Sequence, residues 1–333
     1  MPELDCPAIF NSLPPLVKAT LRPLADKIKA EEVILFLGAA THVCAPDDYN
    51  QYCVGGDIKE IYGDAHRPPI GNELAKSLAT EIDYREIFPE ESQFTLGRIA
   101  QYYEITGGRD SLIKFLQEQI DNKQPSPVLH ALSDLPFKYI LTTNYDTLFE
   151  DALVARGKSI KNKGIYHPNN NSKTVTTNFD ESSVTQDSPF IYKMHGDIKD
   201  SKHGLMDVAD DVDLDSIVLT DEDYIHFILR MNDKDDYNPI PLSFTRAFGK
   251  KSILFIGYSL LDYNLRLLLK STMWGKDIRN RIKNWAINKY PDDVIVWLSD
   301  PYSIKFVVED SWKIVPALYW LIKEKNMPLI WNQ

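Results

Sequence analysis

Cysteine is scarce in this chain. Cys6, Cys44 and Cys53 are three in 333 residues, an odd number without a CxxC pair. That excludes a disulfide framework and any cysteine-rich zinc module, and it fits a reducing compartment. Long apolar runs are missing too: no stretch approaches the ~18–20 residues that a bilayer-spanning helix needs, and Met1-Pro2-Glu3-Leu4-Asp5 lacks the basic-then-apolar pattern of an export signal. A soluble, cytoplasmic chain with no membrane attachment is expected. Basic charge is in deficit, with 37 Lys and Arg against 48 Asp and Glu and a net charge of −11. The excess is local, because Asp207, Asp210, Asp211, Asp213, Asp215, Asp221, Glu222 and Asp223 carry eight of those negative charges with no Lys or Arg among them. Only −3 is left for the rest of the chain. Direct binding of nucleic acid through its phosphates is not expected from such a balance.

What is present is globular in character. A 44% hydrophobic content excludes collagen-like and disordered classes and allows a large core. Val33-Ile34-Leu35-Phe36-Leu37 and Ser252-Ile253-Leu254-Phe255-Ile256 are apolar without alternation and end on Gly38 and Gly257. Such runs mark parallel strands covered on both faces. Tyr139-Ile140-Leu141-Thr142, followed by a polar turn and a helical stretch from Thr147 to Arg156, repeats the pattern. Strand, turn and helix in succession predict an α/β fold: a Rossmann-like, doubly wound and mainly parallel sheet, with ligand chemistry where strand carboxyl ends meet helices. Helical sequence over 71–80, 91–105 and 109–122 predicts a helical subdomain inserted at about 70–135 of a single 1–333 domain. The segments 46–69 and 161–178 read as loops. Trp285-Ala286-Ile287 and Ile304 to Val308 read as strands, and Ser311 to Lys325 as an amphipathic helix.

Four turns carry residues with chemical potential. Gly38-Ala39-Ala40-Thr41 is small enough for a pyrophosphate to approach the backbone, although small residues also serve plain strand-on-helix packing. Thr142-Thr143-Asn144-Tyr145-Asp146 ends a strand with two polar side chains, where one helix cap would need only one of them. Tyr192-Lys193-Met194-His195-Gly196-Asp197 offers a histidine able to act as acid or base, before a glycine that permits a sharp turn. Gly257-Tyr258-Ser259-Leu260-Leu261-Asp262 places Gly and Ser where a ribose or phosphate could lie, or where a helix simply begins. Asp211, Asp213, Asp215 and Glu222 match the acidic positions of an EF-hand loop. Ser216 stands where that loop needs glycine, and Ile217-Val218-Leu219 reads as a strand, so a solvated acidic loop is expected instead.

In this order and spacing the pieces resemble the sirtuin-like NAD-consuming domains, in particular the bacterial branch found in anti-phage defence. The resemblance rests on Gly38-Ala39-Ala40, Pro69-Ile70-Gly71-Asn72-Glu73-Leu74-Ala75, Thr143-Asn144-Tyr145-Asp146, His195-Gly196, Leu219 to Tyr224, and Gly257-Tyr258-Ser259 with Asp262, and it covers about residues 30–325. The family usually reads Gly-Ala-Gly at the first turn. Ala40 in the third place is strained if that position has φ > 0.

Deacylating sirtuins generally carry a four-cysteine zinc module, which three cysteines cannot build. The resemblance therefore implies no structural zinc and NAD+ as substrate, hydrolysed to nicotinamide and ADP-ribose. The alternatives are a module that senses NAD or ADP-ribose without turnover and an NAD-dependent protein deacylase. Asn144 and His195 are the implied catalytic pair. Gly38, Ala39, Ala40, Thr41 and Asp146 are implied on the pyrophosphate and ribose, and Gly257, Tyr258, Ser259 and Asp262 on the adenosine side. An unregulated NAD hydrolase would kill its host, so control by homo-oligomer assembly or by a co-encoded HerA-type ATPase is expected.

Overall fold

The computed structural model describes residues 1–90, 95–167, 175–177, 181–199, 215–231, 239–258, 269–270 and 282–331. Among them an eight-stranded sheet forms the centre. Its strands are β1 (Val33–Leu37), β2 (Tyr139–Thr142), β3 (Lys163–Tyr166), β4 (Val175–Thr177), β5 (Phe190–Lys193), β6 (Ser252–Ile256), β7 (Asn284–Ile287) and β8 (Ile304–Val307). The order is β8-β7-β6-β1-β2-β5-β3-β4, and every pairing is parallel except β3 with β4. From β1 the chain builds one side of the sheet through β2 to β5 and then the other through β6 to β8. The direction of winding therefore reverses between β1 and β6. In open α/β sheets that reversal opens a crevice outside the strand carboxyl ends.

Side chains of a strand alternate between its two faces, so each apolar run feeds two cores. Leu35, Leu37, Ile140, Ile191, Leu254 and Ile256 pack on one face with the helices Cys6–Ser12, Pro15–Lys29, Pro127–Asp134 and Ser311–Lys323. Ile34, Phe36, Leu141, Tyr192, Ile253 and Phe255 pack on the other with Asp221–Arg230, Leu242–Phe248 and Asp293–Ser299. Helices Gly71–Glu81, Leu96–Gly107 and Arg109–Ile120 share a third cluster, centred on Leu78, Ile99 and Leu112 and joined by Ile198, Ile217 and Leu219. No helix among the described residues is long and apolar enough to cross a membrane.

Three expectations are corrected. The segment 161–178 contains β3 and β4 rather than only loop. Gly164 and Lys163 disguised β3, whose register comes from pairing with β5. Ile217-Val218-Leu219 is buried but forms no strand, because its backbone is held individually: Val218 N–H donates to the His195 carbonyl at 3.1 Å, and Tyr145 Oη donates to the Val218 carbonyl at 2.9 Å. Helix Ser311–Lys323 is buried along Ile314 to Tyr319 instead of amphipathic, since helices Cys6–Ser12, Pro15–Lys29 and Pro127–Asp134 surround it.

Candidate functional site

Strand register sets the site. Leu37 is level with Thr142 and Ile256, Thr142 with Lys193, and Ile256 with Ile287. The turns that follow these strands therefore open along one edge of the sheet. At the winding reversal two of them interlock. Gly38 N–H donates to the Ile256 carbonyl at 3.0 Å, and Ala40 N–H to the Gly257 carbonyl at 3.0 Å. A Cβ on Gly38 would overlap the Gly257 carbonyl and lie 2.7 Å from Tyr258 Cδ2; one on Gly257 would overlap the Thr41 nitrogen. Residues 39–42 form a single short 3-10 turn. Positive φ falls on Gly257 (71°) and not on Ala40, so the expected strain at alanine is absent. The glycine requirement of the crossing sits on the partner turn.

Asn144 follows β2. Its backbone N–H donates to Thr142 Oγ1 at 3.0 Å, and that hydroxyl donates to the Leu37 carbonyl at 3.1 Å. The side chain is 9% exposed, with Nδ2 at 3.1 Å from Nε2 of His42, a buried residue of the Gly38 turn. The same Nε2 is 3.0 Å from Asp146 Oδ2, while Asp146 Oδ1 accepts from Leu148 N–H at 2.9 Å. Burial works to raise the Asp146 carboxyl, but facing His42, its hydrogen bond, the charge of Lys193 and the Leu148 N–H together hold it down at about 2. Sequence reasoning did not count His42 among the site residues; its place three residues beyond Ala39 in a strand-end turn was the available signal.

Lys193, the last residue of β5, is completely buried beneath this turn. Its ammonium donates to the carbonyls of Asp146 and Tyr145 and lies 3.1 Å from Asp197 and 3.4 Å from Glu150. Lys163 joins the same two carboxylates, at 3.5 Å from Glu150 and in a close pair with Asp197. Burial disfavours the Lys193 charge, yet Glu150, Asp197 and Asp146 raise its pKa above the ordinary lysine value. Two lysines and two carboxylates thus balance, which is what a buried ion cluster requires.

His195 extends beyond β5 and is 4% exposed. Gly196 turns the chain at φ 86°, where a Cβ would overlap the Ser216 carbonyl. The imidazole sits among aromatic rings, edge-on to Tyr224 at 5.4 Å and tilted to Tyr145 at 6.5 Å. Arg109 anchors the segment that carries this wall: it pairs with Asp215 at 2.5 Å and with Asp223 and Glu104 at 2.9 Å, and it donates to the Ile217 carbonyl at 2.5 Å. Asp215 is therefore spent on Arg109 and on the Ile217 N–H, not on a solvated loop. Asp207, Asp210, Asp211 and Asp213 lie outside the described residues.

A cavity of about 720 Å³ runs along this edge, within the range of small-molecule sites. Ala39, Ala40, Asn144, Asp146, His195, Gly257 and Tyr258 line it. Gly38 and Thr41 stand behind its wall, and Ser259 and Asp262 lie outside the described residues. Pro69 and Asn72 at the start of helix Gly71–Glu81, part of the resemblance but given no role in the site, also line the cavity, and sequence reasoning missed His42, Asn288-Lys289-Tyr290 and Glu309-Asp310-Ser311, which line it too. Asn288 to Tyr290 follow β7 directly, so the carboxyl-end rule applied to that strand would have found them.

A family model described as SIR2-like domain matches residues 138–305, which include β2 to β7, Asn144, His195 and Gly257. Among curated proteins, the NAD(+) hydrolase ThsA of Enterococcus faecium is 29% identical over 205 residues, 61% of this chain and 36% of the relative. NAD(+) hydrolase ThsA of Acinetobacter baumannii is 28% identical over 199 residues, 59% of this chain and 34% of the relative. Defense-associated sirtuin 2 of Bacillus subtilis is 23% identical over 265 residues, 78% of this chain and 21% of the relative. The chain thus spans about a third of the length of the ThsA relatives and less of the sirtuin. With the family match extending over half of its residues and holding the turns that follow β2, β5, β6 and β7, this chain belongs to the SIR2-like domain family.

Proposed function

We propose that the chain is an NAD+ glycohydrolase that cleaves NAD+ to nicotinamide and ADP-ribose, acting as a regulated effector of anti-phage defence. The observation that carries this reading is the convergence of Asn144 and His195 on one cavity at the winding reversal of a SIR2-like sheet. Relatives named NAD(+) hydrolase support the substrate.

In the reaction the C1′–N bond breaks, its electron pair passes to the nicotinamide nitrogen and neutralises the pyridinium, and a water oxygen bonds to the oxocarbenium-like C1′. Asn144 orients the ribose and the water, and His195 takes the proton that this water loses. Asp146 holds the turn that bears Asn144. Ala39 and Ala40 receive the pyrophosphate, with Gly38 and Thr41 shaping their turn from behind, and Gly257 and Tyr258 line the adenosine side. The chain works as one cytoplasmic domain with an inserted helical unit, without structural zinc. Assembly with further copies or with a co-encoded HerA-type ATPase controls it.

The test is nicotinamide release from NAD+ by the purified chain, alone and with a co-encoded partner, on fractions of measured mass. ADP-ribose is the expected product with or without an acetyl-lysine peptide. Acetyl-ADP-ribose formed in the presence of that peptide would instead establish a deacylase.

A further inference from the structure

His42 is placed with care that packing alone does not require. Three consecutive carbonyls of its turn are tied to three different elements: Thr41 accepts from Ser126 Oγ at 3.2 Å, His42 from Tyr62 Oη at 3.0 Å, and Val43 from Trp312 Nε1 at 2.8 Å. The ring is 1% exposed, and its Nε2 meets Asp146 Oδ2 at 3.0 Å and the Asn144 amide at 3.1 Å. His42 Nδ1 and Asn144 Oδ1 are buried with no hydrogen-bond partner.

Proton bookkeeping decides how these groups are arranged. Asp146 is ionised, because the buried Lys193 ammonium lies close by and Leu148 N–H donates to Oδ1, so its oxygens only accept. Nε2 must then carry the proton that lies between them. A protonated Nε2 cannot also accept from an amide NH2, whereas an amide oxygen in the same place shares that proton. The amide is isosteric about its own axis, so turning it brings Oδ1 to His42 at no steric cost. The NH2 group then takes the position that has no protein partner. Nδ1, left as a bare lone pair, avoids burying an unmet N–H. The charged groups facing the pair are Asp146 and Lys193, with Glu150, Asp197 and Lys163 behind them.

We propose that His42 is a positioning residue: anchored by Asp146, it fixes the Asn144 amide with oxygen inward and NH2 toward the cavity, so that Asn144 offers its ligand a hydrogen-bond donor. The consequence for chemistry is specific. Asn144 holds an oxygen lone pair, of the attacking water or of a ribose hydroxyl, and leaves the water's protons to His195. This step rests on the glycohydrolase reading, and its test includes a measurement that does not.

The test compares the parental chain with His42→Phe, which keeps a ring of similar size, and His42→Gln, which keeps a donor. Steady-state nicotinamide release is expected to show kcat reduced roughly 10–100-fold in His42→Phe with KM for NAD+ changed less than about threefold, and kcat largely recovered in His42→Gln. Histidine-selective nitrogen-15 spectra of the parental protein are expected to show His42 as the Nε2–H form, assigned by its loss in His42→Gln. A parental kcat in His42→Phe, or an Nδ1–H form in the spectra, overturns the inference. If the parental chain releases no nicotinamide in any assembled fraction, alone or with a co-encoded partner, while the spectra show Nε2–H, the glycohydrolase reading fails and the positioning inference stands.

Discussion

Placing a methyl group between the interlocked glycines perturbs the winding reversal itself. In Gly38→Ala the new Cβ meets the Gly257 carbonyl and Tyr258 Cδ2, the latter at 2.7 Å. The carbonyl is backbone and already accepts from Ala40 N–H at 3.0 Å, so it cannot swing aside without losing that bond. The ends of β1 and β6 must separate by several tenths of an ångström, which places the cost in the overpacking range of about 1–3 kcal/mol. Gly257→Ala adds to a comparable overlap the strain of alanine at φ 71°, for a total of about 2–6 kcal/mol. The two glycines touch, so the costs do not add: once one methyl has parted the turns, the second finds more room, and the double variant should fall short of the sum by at least about 1 kcal/mol. Urea unfolding of the four proteins measures this. The cavity lies over the same junction, so nicotinamide release should fall roughly 100-fold in either single variant under conditions where it remains folded. If Gly38→Ala is within 0.5 kcal/mol of the parental chain, or if the two costs simply add, the close crossing is not what holds these turns.

Three further outcomes follow from the buried charges. Lys193→Met leaves Glu150 and Asp197 with one lysine between them and should cost about 3–5 kcal/mol in urea unfolding, with Lys193→Arg recovering part of it. Asp146 is held down at about 2 against an ordinary value near 3.8, so its contribution is complete above pH ~4 and is lost as pH falls toward 2; Asp146→Asn should remove roughly 2 kcal/mol of acid sensitivity from that window. His130 is a second, separate case. Burial, aided by the charge of Arg156, pushes its pKa down to about 4, so the unfolded chain binds the proton first, and stability falls as pH drops from about 6.5 to 4. In His130→Gln the pH dependence of unfolding should flatten over that range, while the window below pH 4 stays.

Much of this architecture is legible in the residues. The runs ending at Leu37, Thr142 and Ile256 are buried at every position and, Thr142 and Ser252 aside, apolar because both faces of the central strands are covered, and Asn144 and His195 each stand two residues past a strand end, where chemistry collects. β3 was not legible, since Lys163-Gly164-Ile165-Tyr166 has little strand character of its own and is organised by β5 beside it. Nor was the cluster of Lys163, Lys193, Glu150 and Asp197: a charge inside a strand gives no sign of burial, and its partners are distant in sequence. Ala40 shows the limit of position-by-position comparison, because the freedom from a Cβ that this crossing needs is supplied by Gly38 and Gly257. His42 was hidden for a related reason. Its role comes from facing Asp146 and Asn144 across the gap between β1 and β2, a relation that spacing along the chain does not express.

The central claim is that Asn144 and His195 act together on NAD+ in this cavity. Chromatographic measurement of nicotinamide released by the parental chain, Asn144→Ala and His195→Ala tests it most directly, on assembled fractions whose circular dichroism matches. The account predicts equimolar nicotinamide and ADP-ribose from the parental chain and none from either variant; hydrolysis by both variants at the parental rate would contradict it.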